Sequence, residues 1–323
     1  MQMTRNKVFG VVGIILLIGY FIAVWWSIEP DILEPEVLQN ESGKNIVGYA
    51  TTSSLISTME TLLDKPGGWL SNDIMPPSVM MDNMPAFEFG ALEQSRDLAL
   101  IMRKEFSRSQ SQSTADGDLL AAHSKLNIEH TSWLVPSAEG EYREAIKLLK
   151  LYRAKISDTN NSNAQFYARA DNLNEWLKEV QKRLGSMSQR LSASVGQDRL
   201  NTDLAGDSTA RQSTPSLASA EIKTSWWKID DVLYESRGSA WALLNFMKAI
   251  EVDFADVLEK KNAEVSLRQI IRELEATQQT VWSPMVLNGD GFGLVANHSL
   301  VMANYISRAN AAVIDLTNLL SQG

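Results

Sequence analysis

The feature that most constrains this chain is a run of 21 residues without a charged side chain, from Val8 to Ile28. As an α-helix, which rises 1.5 Å per residue, the run spans roughly 30 Å, the thickness of the hydrocarbon core of a bilayer. It is longer than the apolar part of a cleaved signal peptide, and it ends in Trp25 and Trp26, whose rings are suited to a membrane–water interface. The run therefore predicts an uncleaved transmembrane anchor.

The charges on either side of the run predict its orientation. Arg5 and Lys7 precede it, whereas several acidic residues follow it closely. Because basic flanks stay in the cytoplasm, the residues after Ile28 are expected on the other side of the membrane, which in a Gram-negative cell is the periplasm. We therefore predict a single-pass inner-membrane protein with a cytoplasmic N-terminus.

The charge balance limits the partners of the chain. It has 30 Lys and Arg residues against 39 Asp and Glu residues, a formal net charge of −9, so the nonspecific attraction to phosphate that nucleic-acid binders use is not expected. The part after the anchor has 28 basic and 39 acidic residues. We expect this part to be repelled by anionic lipid and to stand off the membrane, which is contacted through Val8 to Ile28.

Apolar residues after the anchor recur at helical spacing, and strict alternation never persists long enough to predict a strand. The predicted class is all-α, with an N-terminal single transmembrane helix followed by a periplasmic bundle of long helices. Shifts in composition predict five parts. These are a cytoplasmic tip and anchor (1–28), an extended connector (29–44), a helical region (45–200), a flexible linker (201–221) and a C-terminal helical region that packs with the preceding one (222–323).

One predicted helix carries a heptad pattern over residues 173–191. Its apolar positions are spaced by three and four residues, as in a coiled coil. They are Leu173, Leu177, Val180, Leu184, Met187 and Leu191. The seam predicts a long helix that packs within the chain or pairs with a second copy, and an oligomer through it is left open.

The sequence lacks the short signatures of common enzyme classes, including the nucleophile elbow, the Walker loop and the zinc-protease motif. Cysteine is absent, which excludes a thiol nucleophile and thiolate metal ligands. His123 and His130 are seven residues apart, roughly 10 Å along a helix, which is too far for a helical metal pair. We therefore predict no catalytic residue, no metal and no cofactor, and we favour a protein that is not an enzyme.

One pair of carboxylates keeps an enzymatic alternative open. Asp231 and Glu235 lie one helical turn apart and suit a cell-wall or glycan hydrolase, which uses paired carboxylates. A solvated helix face, with Lys228 and Arg237 as ion-pair partners, is the simpler interpretation.

Two irregular segments are the candidate interaction surface. Residues 69–88 are rich in proline and methionine, too irregular for a helix and too apolar for a solvated linker, and residues 288–293 form a glycine-rich turn into the last helix. The candidate residues are Trp69, Asp73, Pro76, Pro77, Asp82, Asn83, Pro85, Asn288, Asp290, Asn297 and His298. His298 is also expected to be a partly buried imidazole with a hydrogen-bond partner.

Four long segments are distinctive. They are GGWLSNDIMPPSVMMDNMPAFEFG (67–90), DDVLYESRGSAWALLNFMKAI (230–250), SLRQIIRELEATQQTVWSPMVLNGDGFG (266–293) and NHSLVMANYISRANAAVIDL (297–316). They resemble the uncharacterised Gram-negative inner-membrane family known as domain of unknown function 2333, and the resemblance runs from the anchor to the C-terminus. It implies the topology and fold predicted above, but no activity and no catalytic residue.

These observations favour a binding or scaffolding component of the cell envelope with an envelope protein as its partner. The anchor, the heptad seam and the irregular segment at 69–88 support this hypothesis. The alternatives are the hydrolase and a ligand-sensing helical module, which would need a pocket between helices.

Overall fold

The computed structural model describes residues 2–109, 114–158, 164–200, 219–283, 285–291 and 293–322. These residues form a helical bundle, which confirms the predicted all-α class. The helices are α1 Gln2–Trp26, α2 Tyr49–Asp64, α3 Asn83–Ile101, α4 Gly117–Leu126, α5 Ala138–Ser157, α6 Ala170–Ser192, α7 Ile229–Asp253, α8 Ala255–Lys260, α9 Glu264–Thr277 and α10 His298–Ser321. A π-helical turn, Met102–Phe106, extends α3.

Helix α1 contains the predicted apolar run. Its segment Lys7–Trp26 is long and apolar enough to cross a membrane, and none of it is buried within the protein. The helix ends two residues before the uncharged run does, and the hydroxyl of Ser27 donates to the carbonyl oxygen of Ala23 in its last turn. The predicted anchor is thus an exposed apolar helix.

The predicted connector, residues 29–44, is extended up to Leu38, turns at residues 40–44, and is held against the bundle. From Glu29 onward it runs beside α7 in the same direction and contacts it about once per helical turn. The contacts are Glu29 with Arg237, the carbonyl oxygen of Asp31 with Trp241, the amide of Leu33 with Asn245, and Glu34 with Lys248. The connector is therefore part of the folded bundle.

Ring contacts set the direction of α3 and α7, the helices at the centre of the bundle. Phe87 lies 5.7 Å from Trp241, and Phe106 lies 5.3 Å from Phe254, between ring centroids. The two helices are therefore parallel, and both begin at the end of the bundle where the chain leaves α1. We name this the proximal end and the opposite one, near Asp253, the distal end.

Polar contacts give the direction of the other helices. Helix α5 is antiparallel to α2 and α4, α6 is antiparallel to α3 and α10, and α9 is antiparallel to α7. The contacts that fix these directions are Arg143–Asp64, Arg153–Ser53, Lys125–Glu141, Lys155–Asp118, Arg183–Asp97, Asn172–Glu105, Asn174–Ser321, Ser188–Ser307, Arg268–Glu251 and Arg237–Thr277. Four connections consequently meet at the proximal end; in the described part of the chain they are residues 65–82, residues 127–137, residues 193–200 with 219–228, and residues 278–297 without 284 and 292.

Two glycines let α3 and α7 approach closely. A Cβ atom at Gly90 would overlap the carbonyl oxygen of Glu235, and one at Gly238 would overlap the carbonyl oxygen of Phe87. Because backbone lies against backbone here, neither position accepts a larger residue without moving a helix.

The heptad seam of α6 packs within the chain. Its six apolar residues are buried in the single hydrophobic core that residues 45–200 share with residues 222–323. Helix α10 covers this face, with the hydroxyls of Ser188 and Ser307 2.6 Å apart. An oligomer through residues 173–191 would have to displace α10.

The predicted linker lies between α6 and α7. Its residues 201–218 are outside the described part of the chain, as are residues 110–113 and 159–163 of two other predicted loops. Gln197–Leu200, just before the linker, pairs with Ser219–Ile222, which includes the last three residues of the predicted linker. The two segments form short antiparallel strands, with Gln197 opposite Ile222. The sequence did not predict this pair, because four residues are too few to show an alternating pattern.

Candidate functional site

Trp69, the first residue of the predicted surface, is buried in the bundle. Its ring stands edge-on to Tyr142 with 5.2 Å between centroids, and its Nε1 donates to the carbonyl oxygen of His130 at 2.9 Å. Only 2% of the residue is exposed. Trp69 therefore fixes the 65–82 connection to the core and does not belong to the exposed surface.

A buried ion pair holds the same connection. Lys65 Nζ lies 2.7 Å from Glu88 Oε1, and both side chains are buried. Glu88 also accepts hydrogen bonds from the amides of Leu70 and Ser71 and from the Ser71 hydroxyl. Burial raises the pKa of Glu88, and Lys65 opposes this shift. Sequence reasoning missed the clamp, although Glu88 is the only charged residue between Asp82 and Glu93 in an otherwise apolar stretch.

The other candidate residues of the first segment are exposed or half-buried, and part of the segment lies beside α1. Asp73, Pro76 and Asp82 are exposed, whereas Pro77, Asn83 and Pro85 are half-buried. Asp82 accepts a hydrogen bond from the amide of Asn83 and caps the start of α3. Residues 76–81 face the Ile15–Ala23 part of α1 across an apolar space of about 480 Å³.

The second segment is a closed turn at the start of α10. Asn288 and Asn297 form an antiparallel bridge, and Asn297 Nδ2 donates to the Asn288 side chain at 2.9 Å. Asn297 is buried, and its Oδ1 accepts from the amide of Leu300, so it is the N-cap of α10. The exposed Asp290 accepts from the amide of Gly293. The helix begins at His298 and not at Leu294 because of this cap.

The two segments are both at the proximal end but on different sides of it. The first lies beside α1 and α3. The second is held to the end of α6, where Asn288 Nδ2 donates to the carbonyl oxygen of Ser194 at 3.1 Å. Helix α7 runs between them, so the structure gives two neighbouring surfaces in place of one.

A cleft that the sequence did not predict lies between α7, α9, α10 and the connector. Arg237 is its centre. The guanidinium makes a bidentate contact with Glu29 and donates at 2.9 Å to the carbonyl oxygens of Thr277 and Gln279. It thereby joins three chain segments. The sequence did contain a signal for this site. Arg237 is the single charged residue in a stretch of mostly small and apolar residues from Ser236 to Phe246, where a cation needs a partner.

The cleft has two lobes on either side of Arg237, Thr280 and Val281. One lobe, of about 230 Å³, is lined by side chains of α7, α9 and α10 together with Trp282. The other, of about 430 Å³, is lined by the connector from Ser27 to Ile32. The cleft therefore opens where the chain leaves α1.

His298 is the one predicted residue that lines this cleft. It is half-buried, and its Nδ1 accepts a hydrogen bond from the amide of Leu287 at 3.2 Å. Since this contact needs a bare Nδ1, the neutral ring carries its proton on Nε2.

The carboxylates considered for hydrolysis do not form a catalytic pair. Glu235 makes a bidentate contact with Arg190, with both oxygens 2.5 Å from the guanidinium. Burial, Asp82 and Asp230 raise the pKa of Asp231. Because Glu235 is engaged by Arg190, the geometry gives no support to a hydrolase that uses this pair.

The histidines considered for metal binding lie apart. His123 contacts Asn127 on α4, and His130 stacks on Phe89 with 4.6 Å between ring centroids. Burial lowers the pKa of both rings. Within the described ranges, no group of three His, Asp or Glu side chains is placed to hold a metal ion.

All four proximal connections expose large apolar side chains. The exposed residues are Ile74, Met75, Val79 and Met80 in the first connection, Trp133, Leu134 and Val135 in the second, Trp226 and Trp227 in the third, and Trp282, Met285, Leu294 and Val295 in the fourth. Large exposed apolar patches are typical of interaction sites in folded proteins.

Comparison with known proteins gives one match. The profile of a family described as an uncharacterised protein conserved in bacteria, DUF2333, matches residues 1–323. No curated protein matches, and no solved structure does.

Proposed function

The chain belongs to the bacterial family DUF2333, and we propose that it is a single-pass inner-membrane protein whose periplasmic bundle binds another protein of the cell envelope. The cleft around Arg237 is the binding site. The partner is a membrane-anchored protein, which presents an apolar segment close to the bilayer.

The topology is supported by the charges beside α1. Lys7 and Arg5 lie at its N-terminal end, and Glu29, Asp31 and Glu34 follow its C-terminal end. A basic flank on the cytoplasmic side is the usual arrangement of a single-pass anchor. Alkaline phosphatase fused to the C-terminus, which is active only in the periplasm, should be active in this protein.

The main support for a binding function is that the cleft lies where the chain leaves α1 and that Arg237 is hydrogen-bonded to its walls. Its larger lobe is lined by the residues that leave α1, and Arg237 holds its walls together. Trp282, 92% exposed at its edge, offers a rigid aromatic ring, the kind of side chain that dominates protein interfaces. A segment that runs alongside α1 reaches this cleft without leaving the membrane surface.

In-cell photocrosslinking tests the proposal. A photoreactive benzophenone amino acid replaces Trp282, and in a control strain it replaces Val265, which is 76% exposed at the distal end. We expect an adduct with one envelope protein from position 282 only, and Trp282→Ala should weaken co-purification of that protein. Equal adducts from both positions, or adducts with this chain alone, would overturn the proposal.

Point substitutions are preferable to segment deletions in this experiment. Residues 69–88 contain Phe87 and Glu88, and residues 288–316 contain most of α10, so either deletion would remove part of the core. Loss of a partner would then report unfolding and not loss of contact.

A further inference from the structure

The exposed apolar residues of the protein are concentrated at its proximal end. Outside α1, each proximal connection contributes at least two exposed apolar residues. The most exposed include Met80, Val135 and Trp227, at 81%, 97% and 79%. The distal end has few, of which Val265 is the most exposed. Water solvates such a concentration poorly, so this end needs an apolar environment.

The position of the 76–81 loop identifies that environment. Pro76, Pro77 and Met80 lie beside the Ile15–Ala23 part of α1. From Gly19 to its end at Trp26, helix α1 rises roughly 10 Å, about a third of the hydrocarbon core of a bilayer. If α1 spans the membrane, the loop reaches the depth of the lipid tails on the domain's side.

The space between the loop and α1 has the chemistry of a lipid site. It is lined by apolar side chains, Gly19 and Tyr20, with no charged residue. An open apolar space of about 480 Å³ at this depth is filled by acyl chains. Water would find almost no hydrogen-bond partner there.

We propose that the proximal end is embedded in the leaflet on the domain's side, with the 74–81 loop among the acyl chains. Trp133, Trp226 and Trp227 then lie at the interface, the location that tryptophan favours in membrane proteins. The occupant of this surface is the bilayer that α1 crosses, and the proposal does not rest on the protein partner at the Arg237 cleft.

The acidic character of the chain determines which lipids this contact requires. Asp73, Asp82 and Asp290 are exposed at the same end, so anionic headgroups are repelled and not attracted. Insertion through apolar side chains needs no charge. The contact is therefore expected in purely zwitterionic lipid and at high salt. This proposal keeps the expected repulsion by anionic lipid and replaces the expectation that the domain stands off the membrane.

The absence of cysteine makes a direct test possible. Single cysteines replace Met80 and Trp227 at the proximal end, and Val265 and Leu151 elsewhere on the exposed surface. Each full-length variant carries a nitroxide label in a phosphatidylcholine nanodisc, without any partner protein. Collisions with oxygen, which concentrates in lipid, are compared with collisions with a water-soluble nickel chelate.

The expected result is a ratio of oxygen to nickel collisions several times higher at positions 80 and 227 than at 265 and 151, unchanged in 1 M salt. Val79→Cys serves as a second site in the same loop, and circular dichroism checks that every variant folds. Labels at 79, 80 and 227 that meet the nickel chelate as often as the label at 265 would overturn the proposal. Labels at the first three positions that meet neither reagent would also overturn it, because protein would then cover this surface.

Discussion

The contact between Arg237 and Glu29 joins the membrane connector to the bundle, and replacing Arg237 tests how much this joint contributes. The Arg237 side chain is 6% exposed and that of Glu29 is 24% exposed. Arg237→Met keeps most of the apolar volume of the side chain but removes every hydrogen bond that the guanidinium donates. It leaves the Glu29 carboxylate and the carbonyl oxygens of Thr277 and Gln279 without their donor.

The expected loss can be worked from these contacts. Removing one partner of a buried pair costs about 3–5 kcal/mol, and the lower value applies because Glu29 is partly open to water. The two carbonyl oxygens add about 1 kcal/mol each if they stay buried without a donor. We expect Arg237→Met to lower the free energy of unfolding by about 3–5 kcal/mol. Glu29→Gln in the same background should show a coupling energy of about 1–3 kcal/mol.

Urea unfolding of the detergent-solubilised full chain, followed by circular dichroism, measures both values. Arg268→Met is the matched control, because the side chains of the Arg268–Glu251 pair are 60% and 32% exposed, and an ion pair this open to water should contribute little to the free energy of unfolding. Equal losses for Arg237→Met and Arg268→Met would refute the reasoning. So would additive effects of Arg237→Met and Glu29→Gln.

Three further predictions concern the bundle itself. Gly238→Ala should destabilise the bundle by about 1–3 kcal/mol, because the new methyl group would overlap backbone atoms of α3. Gly185→Ala in α6 would meet only a side-chain atom at 3.9 Å and should stabilise the bundle by about 0.5–1 kcal/mol. The two variants should shift the denaturation midpoint in opposite directions, and shifts in the same direction would contradict this prediction. Glu88→Gln leaves Lys65 buried without its counter-charge and should cost about 3–5 kcal/mol, most of which Lys65→Met in the same chain should restore, as thermal melts would show. Burial lowers the folded-state pKa of His130, so the stability that its neutral ring contributes is present above the unfolded pKa and is lost as pH falls through the folded pKa. The melting temperature of His130→Gln should therefore fall less between pH 7.5 and pH 5 than that of the unmodified chain. An equal fall in both proteins would show that other groups cause it.

Sequence patterns predicted the elements that depend on local spacing. The uncharged run predicted α1, and the heptad pattern of residues 173–191 predicted α6 and its buried face. Boundaries were less certain where the pattern continued through a break. The apolar spacing from Ala240 to Val257 crosses Phe254, where α7 ends and α8 begins.

The contacts between residues far apart in the chain could not be predicted in the same way. Arg237 and Glu29 are 208 residues apart, and Asp253, which accepts from the Thr51 amide at 2.7 Å, is 202 residues from its partner. Spacing shows which face of a helix is apolar, but it does not show which charges meet across the fold. For the same reason the candidate surface included Trp69 and Asn297, whose burial only the packed structure reveals.

The course of the connector beside α7 has a mechanical consequence. A force that draws α1 along the axis of α7 acts on Glu29, Asp31, Leu33 and Glu34 together, in shear, whereas a sideways pull would peel these contacts away one at a time. The joint thus resists strain along the axis far better than across it.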